Sequence, residues 1–213
     1  MNSEQNYLGP DQWALSPRNE KSLKIYNEIT TMCWDDLKAN YPVYFERLSH
    51  TIPFASGVVF EGGCGCGNIT RWLLTKKDVF LIYACDLFSD PLEKMKKFDF
   101  YDPNRIKLLN CDIDSVSFAD DVMFDTIILS EIIEHIPLEK ELSFLKNIRL
   151  GHIKGGKEGT KFIISTPLGF MTDPHHLRGF NKIEFIEHLE KYYGSIHDIH
   201  YTICQQIAHG YFD

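Results

Sequence analysis

The chain has 213 residues, 44% of them apolar and 24% charged. That suits one well-cored globular domain and excludes a disordered, collagen-like or coiled-coil chain. Lys and Arg number 22 and Asp and Glu number 30, a net charge of −8, which counts against a surface built for nucleic-acid phosphates.

Residues 1–16 are polar and read as an arm or lid that carries the aromatics Tyr7 and Trp13. The segment MNSEQNYLGPDQW has neither the basic nor the apolar region of a secretory signal, and no apolar run reaches 18 residues, so no membrane span is expected. Ser16-Pro17 reads as an N-cap followed by proline at the first helical position, with Leu23, Tyr26, Ile29 and Met32 at helical spacing behind it. A second helical pattern runs through Leu37, Tyr41, Phe45 and Leu48 and ends by Pro53. Gly57 to Phe60 is a short apolar run that predicts a buried strand, followed by a glycine-rich loop and a helix carrying Ile69, Trp72 and Leu73. Further strands are predicted at Val79 to Asp86, Ile106 to Leu109, Phe124 to Ser130 and Lys161 to Ser165. Between them lie helices at Pro91 to Lys97 and after Pro137, the latter with Leu138, Leu142, Leu145 and Ile148 inward. Asn181 is placed to cap a helix that carries Ile183, Phe185, Ile186 and Leu189, and one or two late strands follow from Ile196.

Strand and helix runs that alternate predict βαβ units, hence an α/β, Rossmann-like three-layer sandwich on a mainly parallel, seven-stranded sheet. Ligands of such sheets bind outside the carboxyl ends of the strands. Six cysteines without a CxxC pair read as reduced thiols of a cytoplasmic chain, and Cys64-x-Cys66 has no second pair to complete a zinc site.

Gly63-x-Gly65-x-Gly67 lies between a strand and a helix. Asn68 stands where a dinucleotide fingerprint needs its last glycine, and no Gly-Lys-Ser/Thr of a P-loop is present. Glu61, two residues before the first of these glycines, favours a cationic ligand over a phosphate.

Together Val58 to Gly67, Asp86, Cys111-Asp112-Ile113 and Ser130 to His135, each at a strand end, resemble the motifs of the class I S-adenosylmethionine-dependent methyltransferases over residues 57 to about 190. The resemblance implies S-adenosylmethionine as cofactor. It implies that Gly63, Gly65 and Gly67 shape its loop, that Glu61 orients its cationic end and that Asp86 grips the ribose. Asp112 and Ile113 would bracket the adenine, and Leu87 and Ser130 would belong to the same cofactor site. Two departures stand out: Gly62 replaces the usual apolar residue, which implies a looser loop, and residues 151–160 are longer than the usual turn.

On the acceptor side the resemblance implies roles for Glu131, for His135 and for His176, with Glu134 beside them. One subset, including ubiquinone-pathway and small-RNA 3′-end 2′-O-methyltransferases, carries a similar Glu-x-x-Glu-His stretch and a later histidine as a divalent-metal site. His175 or His176 is the candidate for that last ligand, and manganese or magnesium is left open beside metal-free base catalysis. The stretch His175 to Arg178 with Asn181 and Phe185 also looks like methyltransferases of glycan and secondary-metabolite pathways. The expected acceptor is therefore a hydroxyl on a sugar or other small molecule, with nucleic acid disfavoured as a partner. RNA ribose 2′-O-methylation and a non-catalytic cofactor-binding module stand as alternatives. Residues 1–50 are expected to cover the active site and residues 51–213 to form the cofactor-binding domain. No oligomeric state is indicated.

Overall fold

The computed structural model describes residues 28–153, 159–169 and 175–213. The arm at 1–16 and most of the first predicted helix lie outside the described residues; helix is seen at 28–31. Two helices follow, α1 (Trp34–Asn40) and α2 (Pro42–Thr51). The Leu37 to Leu48 periodicity is thus split in two. Tyr41 takes a non-helical backbone immediately before Pro42, as the ring of a proline demands of its predecessor, while Leu37 and Leu48 stay buried on one face.

The sheet then builds from β1 (Gly57–Gly62), β2 (Val79–Asp86), β3 (Ile106–Asn110), β4 (Thr126–Ser130), β5 (Lys161–Pro167), β6 (Gly194–Tyr201) and β7 (Gln205–Phe212). The helices between them are α3 (Asn68–Leu73), α4 (Ser89–Met95), α5 (Leu138–Arg149) and α6 (Lys182–Tyr192). The strand order is β3-β2-β1-β4-β5-β7-β6. Five strands are parallel, and β7 runs antiparallel to both β5 and β6. The sheet is therefore mixed. The late strands form a hairpin that needs no crossover helix, and β6 starts at Gly194 rather than at Ile196.

Alternate residues of the central strands feed opposite cores. Ile127, Leu129, Phe162 and Ile164 pack with Phe144, Ile148, Phe185 and Leu189. Ile128 and Ile163 pack on the other face with Leu37, Leu48, Ile69, Leu73 and Met95. With both faces covered, the strands need apolar residues throughout, which is why their runs do not alternate. The inner face of α5 differs from expectation: Glu141, Phe144, Leu145 and Ile148 are buried, and Leu138 and Leu142 are half-buried. Ile183 on α6 is exposed, because Phe185 and Leu189 define its inner face. β1 lies between β2 and β4, so the connections leave in opposite directions there and open a crevice at the strands' carboxyl ends.

Candidate active site

The loop after β1 is built by torsion and packing together. Gly63, Gly65 and Gly67 have φ of 67°, 55° and 89°, a region that side chains other than glycine rarely adopt. A Cβ at Gly63 would lie 1.9 Å from Ile132 Cδ1, and one at Gly67 3.0 Å from Met95 Cε, whereas a Cβ at Gly65 would meet nothing within 4 Å. Gly65 therefore borders open space that a ligand can fill. Gly62 does not loosen the loop as expected. A Cβ there would lie 2.7 Å from Leu129 Cδ2 and 3.2 Å from Ile113 Cδ1, so neighbouring side chains already occupy the room of the missing one.

Asp86, at the end of β2, fastens this loop: Oδ2 accepts from the Gly65 N–H (2.8 Å) and Oδ1 from the Phe88 N–H (2.9 Å). Burial pushes its carboxyl above the usual range, and those two hydrogen bonds oppose the shift. Glu61 is 2% exposed and accepts from Thr70 Oγ1 at 2.6 Å. Burial pushes it up to about 8, against the Thr70 hydrogen bonds and with help from the charge of Asp86. Among the described residues no ion pair reaches either carboxylate. Two such groups beside an open cradle fit a ligand that brings positive charge.

Asp112, Ile113 and Leu87 lie beyond the ends of β2 and β3. Asp112 is already ion-paired with Lys140 of α5, and Asp114 lies 3.8 Å from the same ammonium. Ile113 is buried in the core against Gly62. Leu87 is half-buried, and its carbonyl accepts from Asn110 Nδ2 at 3.0 Å.

The ends of β4 and β5 meet on the acceptor side. Ser130 Oγ lies 2.9 Å from Ser165 Oγ, which donates to Glu131 Oε1 at 3.0 Å. Glu131 has φ 57°, the one positive φ of a non-glycine residue among those described. Arg47 of α2 brings Nη1 to 3.6 Å from Glu131 Oε2. Glu134 is 1% exposed, and its Oε2 accepts from Thr166 Oγ1 at 3.1 Å. Its Oε1 is buried without a hydrogen bond among the described residues, 3.8 Å from His135 Nε2. Burial, joined by the charge of Glu131, pushes Glu134 well above the usual carboxylate range. His135 Nδ1 lies 3.1 Å from the His175 carbonyl. A carbonyl only accepts, so Nδ1 carries a proton and donates it there. His176 stands edge-on to His135, with ring centroids 4.7 Å apart.

Glu134, His135 and His176 offer ligand atoms within 4.8 Å of one another. His176, not His175, completes the set with its ring, and His175 serves His135 through its backbone. Oε1 of Glu134, which has no hydrogen bond among the described residues, and the rings of His135 and His176 are the ligands a manganese or magnesium ion would take, with Thr166 and the His175 carbonyl orienting Glu134 and His135. The same imidazoles can act without metal as a base toward a hydroxyl. Sequence reasoning missed Arg47. Its signal was the spacing of Tyr44, Arg47, Leu48 and Thr51, which puts an arginine on the buried face of α2.

Comparison with known proteins agrees with this fold and corrects one expectation. Residues 60–156 match the family model described as "Methyltransferase domain". A curated relative, the tRNA N(3)-methylcytidine methyltransferase trm141 of Schizosaccharomyces pombe, is 31% identical over 131 residues, 59% of this chain and 51% of that protein. The chain thus spans about half the length of that relative. Among solved structures, the glycopeptide N-methyltransferase MtfA complexed with S-adenosyl-L-homocysteine superposes with a TM-score of 0.61 at 14% identity, over 93% of this chain and 98% of that one. The small RNA methyltransferase HEN1 gives 0.58 at 18% identity, over 77% of this chain and 24% of that one. The expectation that disfavoured nucleic acid as a partner is corrected by the similarity to trm141, a relative named for tRNA. It rested on the net charge, which sums a whole surface and does not report the local field where a substrate docks.

Proposed function

Since the chain belongs to the class I S-adenosylmethionine-dependent methyltransferases, we propose that it methylates a nucleotide of an RNA, on a ribose hydroxyl. The observation that carries this reading is the convergence of Glu131, Glu134, His135 and His176 at the ends of β4 and β5. A hydroxyl must lose its proton as it attacks, and the His135 imidazole, oriented through Nδ1 by the His175 carbonyl, is the group we assign to take it.

When bound, S-adenosylmethionine supplies an electrophilic methyl carbon on a sulfonium. Asp86 would hold its ribose diol with the lone pairs that the Gly65 and Phe88 N–H groups leave, Glu61 would balance its positive charge, and Gly65 would leave room for it that a side chain would fill. Ile113 and Leu87 form the apolar border of the base, while Asp112 stays with Lys140. Glu134, His135 and His176 would hold a divalent ion, which polarises a hydroxyl when present. Arg47, reaching Glu131 from α2, supports a covering role for the region up to residue 50 over a catalytic unit of residues 51–213. Six cysteines, none of them in a disulfide, fit a reducing compartment such as the cytoplasm.

A second reading, methylation of cytidine N3 in tRNA, is favoured by the similarity to trm141. A ring nitrogen attacks with its own lone pair and needs no base. The two readings part in one experiment: unmodified tRNA and short single-stranded RNAs are incubated with S-adenosylmethionine, with and without manganese, and digested to nucleosides for mass spectrometry. The ribose reading expects 2′-O-methylnucleosides and loss of product in His135→Ala. N3-methylcytidine, retained in that variant, would establish the second reading. No methylated nucleoside, with S-adenosylhomocysteine binding intact, would remove RNA as the acceptor.

A further inference from the structure

Glu141 is a carboxylate on the inward face of α5, fully buried (0% exposed), where the helical pattern calls for an aliphatic residue. Three donors close on it: Arg178 Nη2 at 2.6 Å, His188 Nε2 at 2.9 Å from α6, and Tyr193 Oη at 2.5 Å. Burial pushes the carboxyl up, but His188, Arg178 and Tyr193 outweigh it and leave Glu141 below the usual value. It therefore stays ionised.

Its partner Arg178 belongs to the segment that carries His176. The same Nη2 donates to the carbonyl of Ile133. The backbone N–H groups of Leu177 and Arg178 both donate to the Glu134 carbonyl, at 2.8 and 3.2 Å, and the His175 carbonyl sits on His135 Nδ1. So 175–178 is fastened along its length to the segment presenting Glu134 and His135, and Glu141 grips the fastener. A buried ion pair is weak evidence of stabilisation, since apolar residues in its place often do as well. Here Arg178 Nε and Nη1 are buried without a hydrogen bond among the described residues, a further cost. What the arrangement provides is geometry.

We propose that Glu141 is a positioning residue for the acceptor site: through Arg178 it holds the segment 175–178, and with it the His176 imidazole, against Glu134 and His135. The inference rests on the acceptor reading above for its catalytic consequence, but not for its structural one. The test compares full-length wild type with Glu141→Gln and Arg178→Lys. Glu141→Gln removes the charge at constant shape. Arg178→Lys keeps the charge but cannot reach Glu141 and Ile133 together. Amide exchange of a peptide spanning 175–180, read by mass spectrometry, is expected to quicken at least tenfold in both variants, with α6 beyond its first turn unaffected. Acylation of His176 by diethylpyrocarbonate should rise in step. S-adenosylhomocysteine affinity should stay within twofold, and on an RNA that the wild type methylates kcat should fall at least tenfold with KM for S-adenosylmethionine unchanged. If Glu141→Gln does not fold, Arg178→Lys decides. Unchanged exchange and unchanged kcat in a folded variant overturn the proposal, as does a uniform rise in exchange across α5 and α6, which marks a merely structural pair. A wild type that methylates no RNA removes the acceptor reading instead, and the exchange and acylation data still judge the latch.

Discussion

Glu61 is the residue whose environment makes the sharpest demand. Its carboxyl titrates at about 8 in the folded chain, against an ordinary 4.5. Between those values the folded state holds a proton that the unfolded state has lost, so its contribution to stability falls as pH rises through that window. A cation beside it reverses the preference. Binding of S-adenosylmethionine near pH 7 is therefore expected to release up to about one proton. Calorimetry in buffers of different ionisation enthalpy reads it directly, with less release for uncharged-sulfur S-adenosylhomocysteine and none of this difference in Glu61→Gln. Heats that do not depend on the buffer would count against the assignment. Asp86→Ala is expected to lower cofactor affinity at least about tenfold, or about 1.4 kcal/mol. The alanine also strips the acceptors from the Gly65 and Phe88 N–H groups. Asp86→Asn, which keeps one acceptor, should fall between in the same titration. Residue identities made this half of the site legible: glycines at strained torsions and acids at strand ends announce themselves. The Lys140 partner of Asp112 was not legible, because it lies 28 positions away on another element.

At the scale of the element, α6 was legible from a single cap. Asn181 accepts from the N–H groups of Ile183 and Glu184, and Glu184 returns a bond to the Asn181 N–H at 2.9 Å. Asn181→Ala should cost about 1 kcal/mol in denaturant unfolding. An unchanged midpoint would mean that packing of Phe185 and Leu189 alone sets the helix. The strands were legible because burial on both faces leaves no polar position. The break between α1 and α2 was not, since Leu37, Tyr41, Phe45 and Leu48 keep helical spacing straight through it and only Pro42 marks it. The rotation of α5 escaped for a related reason: Glu141 looks like a surface acid until Arg178 and His188 fold in beside it. Near the amino end, Arg71 of α3 donates to the carbonyls of Ile29, Thr30 and Met32, which clasps the incoming chain beside the glycine loop. Removal of residues 1–16 is accordingly expected to slow methyl transfer more than it lowers the melting temperature. Turnover and acceptor affinity equal to wild type would contradict a covering role.

At the scale of the whole molecule, the topology followed from the order of strand and helix runs, and the mixed edge from a hairpin too short for a crossover. The net charge did not report on nucleic acid as a partner, because it averages over every face while recognition is local. Global stability is also set against one torsion. Glu131 stands at φ 57°, which costs a residue with a side chain about 1 kcal/mol or more over glycine. It is held there by the Ser165 carbonyl on its N–H and by Ser165 Oγ and Arg47 on its carboxylate. Glu131→Gly is expected to raise the thermal midpoint and abolish methyl transfer, and a midpoint that falls would show that the carboxylate contacts outweigh the torsion. A library of variants selected for heat resistance alone would then drift toward glycine at this position, so that the hardiest survivors would be silent ones. Breeding a tougher version of this protein has to score chemistry and endurance together.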